Sequence, residues 1–283
     1  MCARGSTCRE TGPLKAAIIG GVVLEASESG VERAPAADDR SLRRLMQDLY
    51  REALAREPGN AYLLEHGQPR WIDGQIRTFH LYRPHLPKSG AVLEWGCNHA
   101  PDSCMLRAWF GNRFDLHSCD FVESGRYPVF HDYARVSHAQ LVGGGSLPYP
   151  DNFFDAVIGS GVLEHTAMDY EALKQLHRVL KPEGVVVISH LPNWLSLQEW
   201  RRRVILKRDF HRRLYSKRET RQLLKRAGFY PVDEGYHTFI WERILGQMGL
   251  DHWEQTPRLL TRLTPPLAFC GTLYFVARKV LVM

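Results

Sequence analysis

The sequence predicts an open α/β sheet with helices on both faces. Three observations carry this prediction. Short apolar runs alternate with amphipathic, helix-spaced runs from about residue 91 onward. One run, Val185-Val186-Val187-Ile188-Ser189, is apolar on both faces, as central parallel strands are. Turn sequences such as Lys181-Pro182-Glu183-Gly184 separate the runs.

Residues 1–38 mix Gly, Ala, Ser and Glu with no sustained period, so they read as a flexible leader. From Ser41 a helix is expected, because Leu42, Leu45, Leu49 and Ala53 recur at helical spacing until Pro58-Gly59 stops the run. A second helix is expected over about 71–82, ending before Pro84. Residues 91–95 form the first clear strand. Residues 101–110 follow as a helix, with Pro101 in its first turn and Gly111 past its end. Residues 116–119 and 155–159 read as the next two strands. A helix over 169–180 presents Leu173, Leu176 and Leu180 on one side. Ser216-x-x-Glu219 is a capping box that opens a helix ending at Gly228. Residues 229–238 and 272–278 are the last two strands expected. No internal repeat is visible.

The chain has 283 residues, enough for one large domain, and its 44% hydrophobic and 24% charged content is that of a globular protein. A wholly disordered chain, a collagen-like fibre and a disulfide-dense miniprotein are thereby excluded. The net charge is +6, but residues 201–226 hold 12 basic and 2 acidic side chains, leaving −4 on the remainder. One basic segment on a near-neutral body does not describe a nucleic-acid coat. The six cysteines (Cys2, Cys8, Cys97, Cys104, Cys119 and Cys270) form no C-x-x-C pair and no zinc-finger spacing with histidine. They read as free thiols in a reducing compartment, and no metal is called for. The apolar stretch 16–24 is too short to span a bilayer, and its Cys- and Arg-containing lead is a poor signal sequence. A cytoplasmic protein is expected.

The chemistry-bearing stretch begins with Val92-Leu93-Glu94-Trp95-Gly96-Cys97-Asn98-His99-Ala100, a strand, a tight turn and a helix start. In an α/β sheet such a turn lies at the carboxyl end of a strand, where ligands bind. Gly96 allows close approach of a ligand to the backbone. Asp120 ends the next strand, where an acid can accept both hydroxyl hydrogens of a ribose. Gly143-Gly144-Gly145-Ser146-Leu147-Pro148-Tyr149-Pro150-Asp151-Asn152-Phe153-Phe154-Asp155 leads into the third strand, which emerges as Ser160-Gly161-Val162-Leu163-Glu164-His165.

In order and spacing, VLEWGCNHA, Asp120, LPYPDNFFD, SGVLEH and LKPEG resemble the landmarks of class I S-adenosylmethionine-dependent methyltransferases of the small-molecule, type 11-like branch. The resemblance covers about residues 70–238 and the final strand. It implies a Rossmann-like, mostly parallel seven-stranded sheet with its last strand antiparallel. It also implies one domain over 39–283, with helical insertions at about 195–215 and 239–267. S-adenosylmethionine is the cofactor it implies. By this resemblance Glu94 would hold the methionine ammonium, and Gly96, Cys97 and Asn98 would line the methionine end. Asp120 would hold the ribose, Phe121 would flank the adenine, and Ser146 and Leu147 would lie near the adenine edge. Ser160 and Gly161 would back the sulfonium. The chain departs from the family where Asn98 and Ala100 replace turn glycines, although Asn tolerates positive φ.

His165 is the candidate general base, since imidazole titrates near neutrality. Its alternative role is a hydrogen bond to a neighbouring loop. The absent G-x-G-x-x-G argues against a nucleotide-dependent oxidoreductase. Ser160-Gly161-Val162-Leu163 stands where amino methylases of nucleic acid carry Asn/Asp-Pro-Pro-aromatic, so no nucleic-acid acceptor is expected. The expected function is methyl transfer to a small or lipid-linked, glycan-type acceptor. The alternative is a non-catalytic binding protein on the same fold. Residues 197–226 interleave Leu197, Trp200, Val204 and Leu214 with Arg201, Arg202, Arg203, Lys207, Arg208, Arg212 and Arg213. They read either as a solvated basic face on a lid helix or as a peripheral contact with anionic membrane.

Overall fold

The computed structural model describes residues 18–19, 22–23, 38–123, 125–143, 146–207, 211–239 and 270–280. Most of the leader expected over 1–38 lies outside them; Ile18–Ile19 and Val22–Val23 pair as a short antiparallel ladder. The insertion expected over 239–267 also lies outside them, Phe239 excepted.

The helices before the sheet are α1 (Asp39–Arg56), α2 (Ala61–His66) and α3 (Pro69–Tyr82). Asp38 caps α1 by accepting from the Ser41 N–H at 2.8 Å, so the helix starts two residues before Ser41. The apolar spacing seen in the sequence becomes a buried face: Leu42, Met46, Leu49 and Tyr50 are all enclosed.

Seven strands form one sheet. They are β1 (Gly90–Trp95), β2 (Phe114–Asp120), β3 (Ser137–Gln140), β4 (Phe154–Ser160), β5 (Leu180–Pro192), β6 (Phe229–Phe239) and β7 (Cys270–Lys279). Their order is β3-β2-β1-β4-β5-β7-β6. β1 to β5 pair in parallel, and the last strand runs antiparallel to both β5 and β6, between which it is inserted. The predicted α/β sheet with an antiparallel last strand is therefore present.

Helices α4 (Pro101–Phe110), α5 (Pro128–Ala134), α6 (Asp169–Val179), α7 (Leu197–Trp200) and α8 (Lys217–Arg226) cover the faces. One core packs α1, α3, α4 and α5 onto one face of the sheet, through Tyr50, Phe79, Phe130 and Leu116 among others. A second packs α6 and α8 onto the other face, through Leu173, Leu176, Leu224 and Phe275. Ser216 caps α8, accepting from the Glu219 N–H at 3.2 Å and donating its hydroxyl to the Glu219 carboxylate at 2.7 Å. The expected lid contains α7 and then a wide helical turn, Arg201–Leu206, closed by Lys207 at φ +51°.

The strand order reverses between β1 and β4. The loops leaving these two strands diverge there and open a crevice at the carboxyl edge. Register brings the chemistry-bearing residues to that edge. Glu94 of β1 pairs with Ser118 of β2 and Ile158 of β4, and Ser160 pairs with Ser189 of β5.

Candidate active site

The β1–α4 turn is built around left-handed backbone. Gly96, Asn98 and Ala100 have φ of +65°, +47° and +60°. Gly96 meets a second demand, because a Cβ there would lie 2.5 Å from both Val162 methyls. Its N–H donates to the Cys119 carbonyl at 2.8 Å, and the Cys97 N–H shares that acceptor at 3.2 Å. The Asn98 N–H donates to Asp120 Oδ2 at 2.7 Å. Asn98 Oδ1 is buried without a hydrogen-bond partner. Asp120 is half-buried, and its Oδ1 accepts from the Val122 N–H at 3.3 Å.

Glu94 lies under the helix start. Its two carboxylate oxygens accept from the Asp102 and Ser103 N–H groups of α4, at 3.1 and 2.6 Å. This sets an acceptor carboxyl group at a helix N-terminus, built into the core. Burial, with Asp102 beside it, holds the Glu94 carboxyl well above the usual carboxylate range. Asp102 is also buried and raised, again by burial. It accepts from the Tyr82 hydroxyl at 2.6 Å and from the Ser160 hydroxyl at 2.8 Å. The Ser189 hydroxyl donates to Ser160 at 2.9 Å. Sequence reasoning passed over Asp102; an acid in the first turn of a helix that begins beside the glycine turn was the available signal.

His99 is fully buried and bridges two tyrosines, with Tyr50 Oη 2.6 Å from Nε2 and Tyr62 Oη 3.3 Å from Nδ1. It fastens the turn to α1 and α2. Burial keeps this imidazole neutral, far below its ordinary titration range.

The remaining predicted residues scatter in exposure. Phe121 follows Asp120 and presents its ring to solvent, 66% exposed. Leu147 is buried, and Ser146 is exposed with its hydroxyl 3.5 Å from Gln175 Oε1. Gly161 leaves β4 with its N–H on the Ser189 carbonyl at 2.9 Å. The turn that follows carries Glu164 inward and His165 outward. The His165 side chain is 66% exposed and its Nε2 lies 4.0 Å from Glu164 Oε1. Thus Glu94, Gly96, Cys97, Asn98, Asp120, Ser160 and Gly161 converge at the carboxyl edge of β1, β2 and β4. Ser146 and Leu147 sit on the loop leading into β4.

Two groupings are invisible to spacing along the chain. Cys97, His131 and His138 meet in the interior, with Cys97 Sγ 3.7 Å from His138 Nδ1. Glu164 and His165 are joined by His211, from the segment before α8.

A family model described as a methyltransferase domain matches residues 39–234. A demethylmenaquinone methyltransferase of Staphylococcus epidermidis is 36% identical over 107 residues, covering 36% of this chain and 44% of that protein. A probable S-adenosylmethionine-dependent methyltransferase of Mycolicibacterium smegmatis is 30% identical over 146 residues, covering 50% of this chain and 52% of that protein. The chain spans about half the length of the curated relatives it matches. Among solved structures, the [4+2]-cyclase SpnF aligns with a TM-score of 0.52 at 19% identity, over 90% of this chain and all of that one. The YcgJ protein of Bacillus subtilis aligns with a TM-score of 0.50 at 15% identity, over 73% of this chain and 99% of that one. At such identities the likeness is one of fold. The match over 39–234 takes in the glycine turn, Asp120, the Ser160 strand end, strands β1 to β5 and the first half of β6, and the chain belongs to the methyltransferase-domain family.

Proposed function

We propose that this chain is an S-adenosylmethionine-dependent methyltransferase acting on a small acceptor. The observation that carries the reading is the convergence of the Gly96 turn, Asp120 and Ser160 at the crevice of a methyltransferase-domain sheet. The chemistry of the bound cofactor is a sulfonium methyl whose departure leaves a neutral thioether. The residues present suit its nucleoside end. Asp120 is half-buried with acceptor capacity left beyond its two backbone donors. The Phe121 ring is free to lie against an adenine, and toward the methionine end Asn98 Oδ1 is a buried acceptor lacking a donor. Glu94 would act on the methionine end through α4, because both its oxygens are held by that helix's N–H groups. Ser160, fixed by Asp102, would wall the sulfonium side. The remaining work is alignment of acceptor and methyl.

For the acceptor, an apolar or lipid-linked molecule is the favoured class. Trp194, Leu197, Trp200, Val204 and Ile205 are all exposed beside Arg201 and Arg203. Aromatic and aliphatic groups interleaved with guanidinium groups suit a surface that meets both acyl chain and phosphate. Similarity to enzymes named for demethylmenaquinone supports an apolar acceptor. No helix among the described residues is long and apolar enough to cross a membrane, so contact through this segment would be peripheral.

A non-catalytic binding role is the second reading, favoured by two observations. Asn98 and Ala100 hold left-handed backbone where glycine is cheaper, and Glu94 is fully committed to α4. Calorimetric titration with S-adenosylmethionine separates cofactor-dependent from cofactor-free function. Saturable 1:1 binding is expected, and none at millimolar ligand would remove the enzyme reading. Sedimentation with anionic and neutral vesicles tests the lipid contact. Retention by anionic vesicles that salt weakens is expected, and equal failure with both would leave only a soluble acceptor.

A further inference from the structure

We propose that Glu164, His165 and His211 form a divalent-cation site at the mouth of the crevice, where the ion would hold an oxygen of the acceptor. This rests on the methyltransferase reading for its use, but not for its existence.

One ligand atom from each of the three residues lies within 4.8 Å of the other two, close enough for small side-chain rotations to bring all three onto one ion. Glu164 supplies the anion. Its side chain is 3% exposed, and its Oε2 is buried with no hydrogen-bond partner. A carboxylate so placed is costly unless something positive meets it.

His211 is positioned as a ligand is. Glu199, itself buried, takes its Nδ1 at 3.0 Å through Oε1 and its backbone N–H at 3.2 Å through Oε2. Nε2 is then the nitrogen left for an ion, the carboxylate–histidine–metal arrangement seen where a second carboxylate orients a metal-bound ring. Two residues on, Arg213 donates to the Thr166 and Ala167 carbonyls at 3.2 and 3.1 Å. The segment carrying His211 is thus laced to the turn carrying Glu164 and His165. His165 completes the set from the solvent side, its ring centroid 5.9 Å from that of His211.

The donor set selects the ion. One carboxylate and two imidazoles suit borderline first-row cations from manganese to zinc better than magnesium or calcium. Three protein ligands leave positions open. Gly161, at the end of β4, stands beside Glu164: a Cβ on it would lie 3.8 Å from Oε1. An oxygen held on the ion would therefore sit next to the place assigned to the sulfonium, with its pKa lowered. That favours an acceptor with an ionisable hydroxyl, and gives His165 a ligand's role in place of a base's.

Cobalt(II) titration of the full chain, read by visible absorption and calorimetry, tests the site. One ion per chain is expected. Glu164→Gln, His211→Asn and the fold-neutral His165→Asn should each weaken binding by roughly ten-fold or more, and Cys97→Ser should leave it unchanged. No binding at millimolar cobalt would overturn the proposal. So would an intense thiolate-to-cobalt band that Cys97→Ser abolishes and Glu164→Gln spares, which would place the ion at Cys97, His131 and His138. Titration with S-adenosylhomocysteine runs alongside. Its failure in the unmodified chain with cobalt binding intact would count against the methyltransferase reading and leave the cation site standing.

Discussion

Gly96 shows how one residue fixes both backbone and crevice. Its φ of +65° costs any L side chain about 1 kcal/mol, and a Cβ 2.5 Å from the Val162 methyls adds overpacking of about 1–3 kcal/mol. Gly96→Ala should therefore lower stability by about 2–4 kcal/mol, measured by urea denaturation, and displace the turn that faces Asp120. Tyr82 sets a second test at this scale. Its hydroxyl donates to a buried carboxylate at 2.6 Å, and removing it orphans one Asp102 oxygen. Tyr82→Phe should cost about 1.5–3 kcal/mol by the same measurement, with the loss showing also in the anchoring of Ser160 through Asp102. An unchanged denaturation midpoint would mean that Asp102 is protonated and finds its partner elsewhere.

At the scale of elements, the helix-to-strand turn before β6 carries a sharp constraint. Gly228 has φ +91°, and a Cβ on it would sit 2.7 Å from the His177 Nε2 on α6. Gly228→Ala should separate α6 from the β6 entry and lower the thermal midpoint by several degrees, on the order of 2 kcal/mol. Elements with strong local signals were legible in the sequence. Residues 101–110 read as a helix from Pro101 and Gly111, and Pro101–Phe110 is α4. β5 was legible from its unbroken apolar run, though it extends to Leu180–Pro192 because it pairs on both sides. β3 was not legible, because Ser137-His138-Ala139-Gln140 is a four-residue edge strand without apolar alternation. Helices α2 and α5 were missed for a related reason: at six and seven residues they are too short to show a period. Of the candidate site, the strand-end residues were legible because sheet register brings them together. Asp102 and His211 were not. Their roles depend on contacts to Ser160 and Glu199, 58 and 12 residues away.

Across the whole molecule, buried neutral histidines link stability to pH. His190 and His131 are pushed down to about 4 by burial, and burial also holds His99 and His237 well below the ordinary imidazole range. In the unfolded chain each takes a proton near pH 6.5. A depressed folded-state value gives stability that is fully present above pH 6.5 and is lost as pH falls toward about 4. His190 alone accounts for about 3 kcal/mol of this, at 1.36 kcal/mol per unit. Glu164 runs the other way. Raised to about 7, it favours the fold below pH 4.5 and withdraws that support as pH rises through 7. Glu94 and Asp102, also raised by burial, act in the same sense as Glu164. The four histidines outnumber these three acids, so the denaturation midpoint should fall between pH 6.5 and 4. His190→Gln should flatten that slope, and an unaltered slope would remove the assignment.

The proposed activity depends on the Gly96 turn, Asp120 and Ser160 forming one cofactor crevice. A crystal structure of the chain grown with S-adenosylhomocysteine tests it most directly. The ribose hydroxyls are expected on Asp120, the adenine against Phe121 and the sulfur beside Ser160 and Gly161. Ligand bound away from the carboxyl edge of β1, β2 and β4, or none at millimolar concentration, would contradict it.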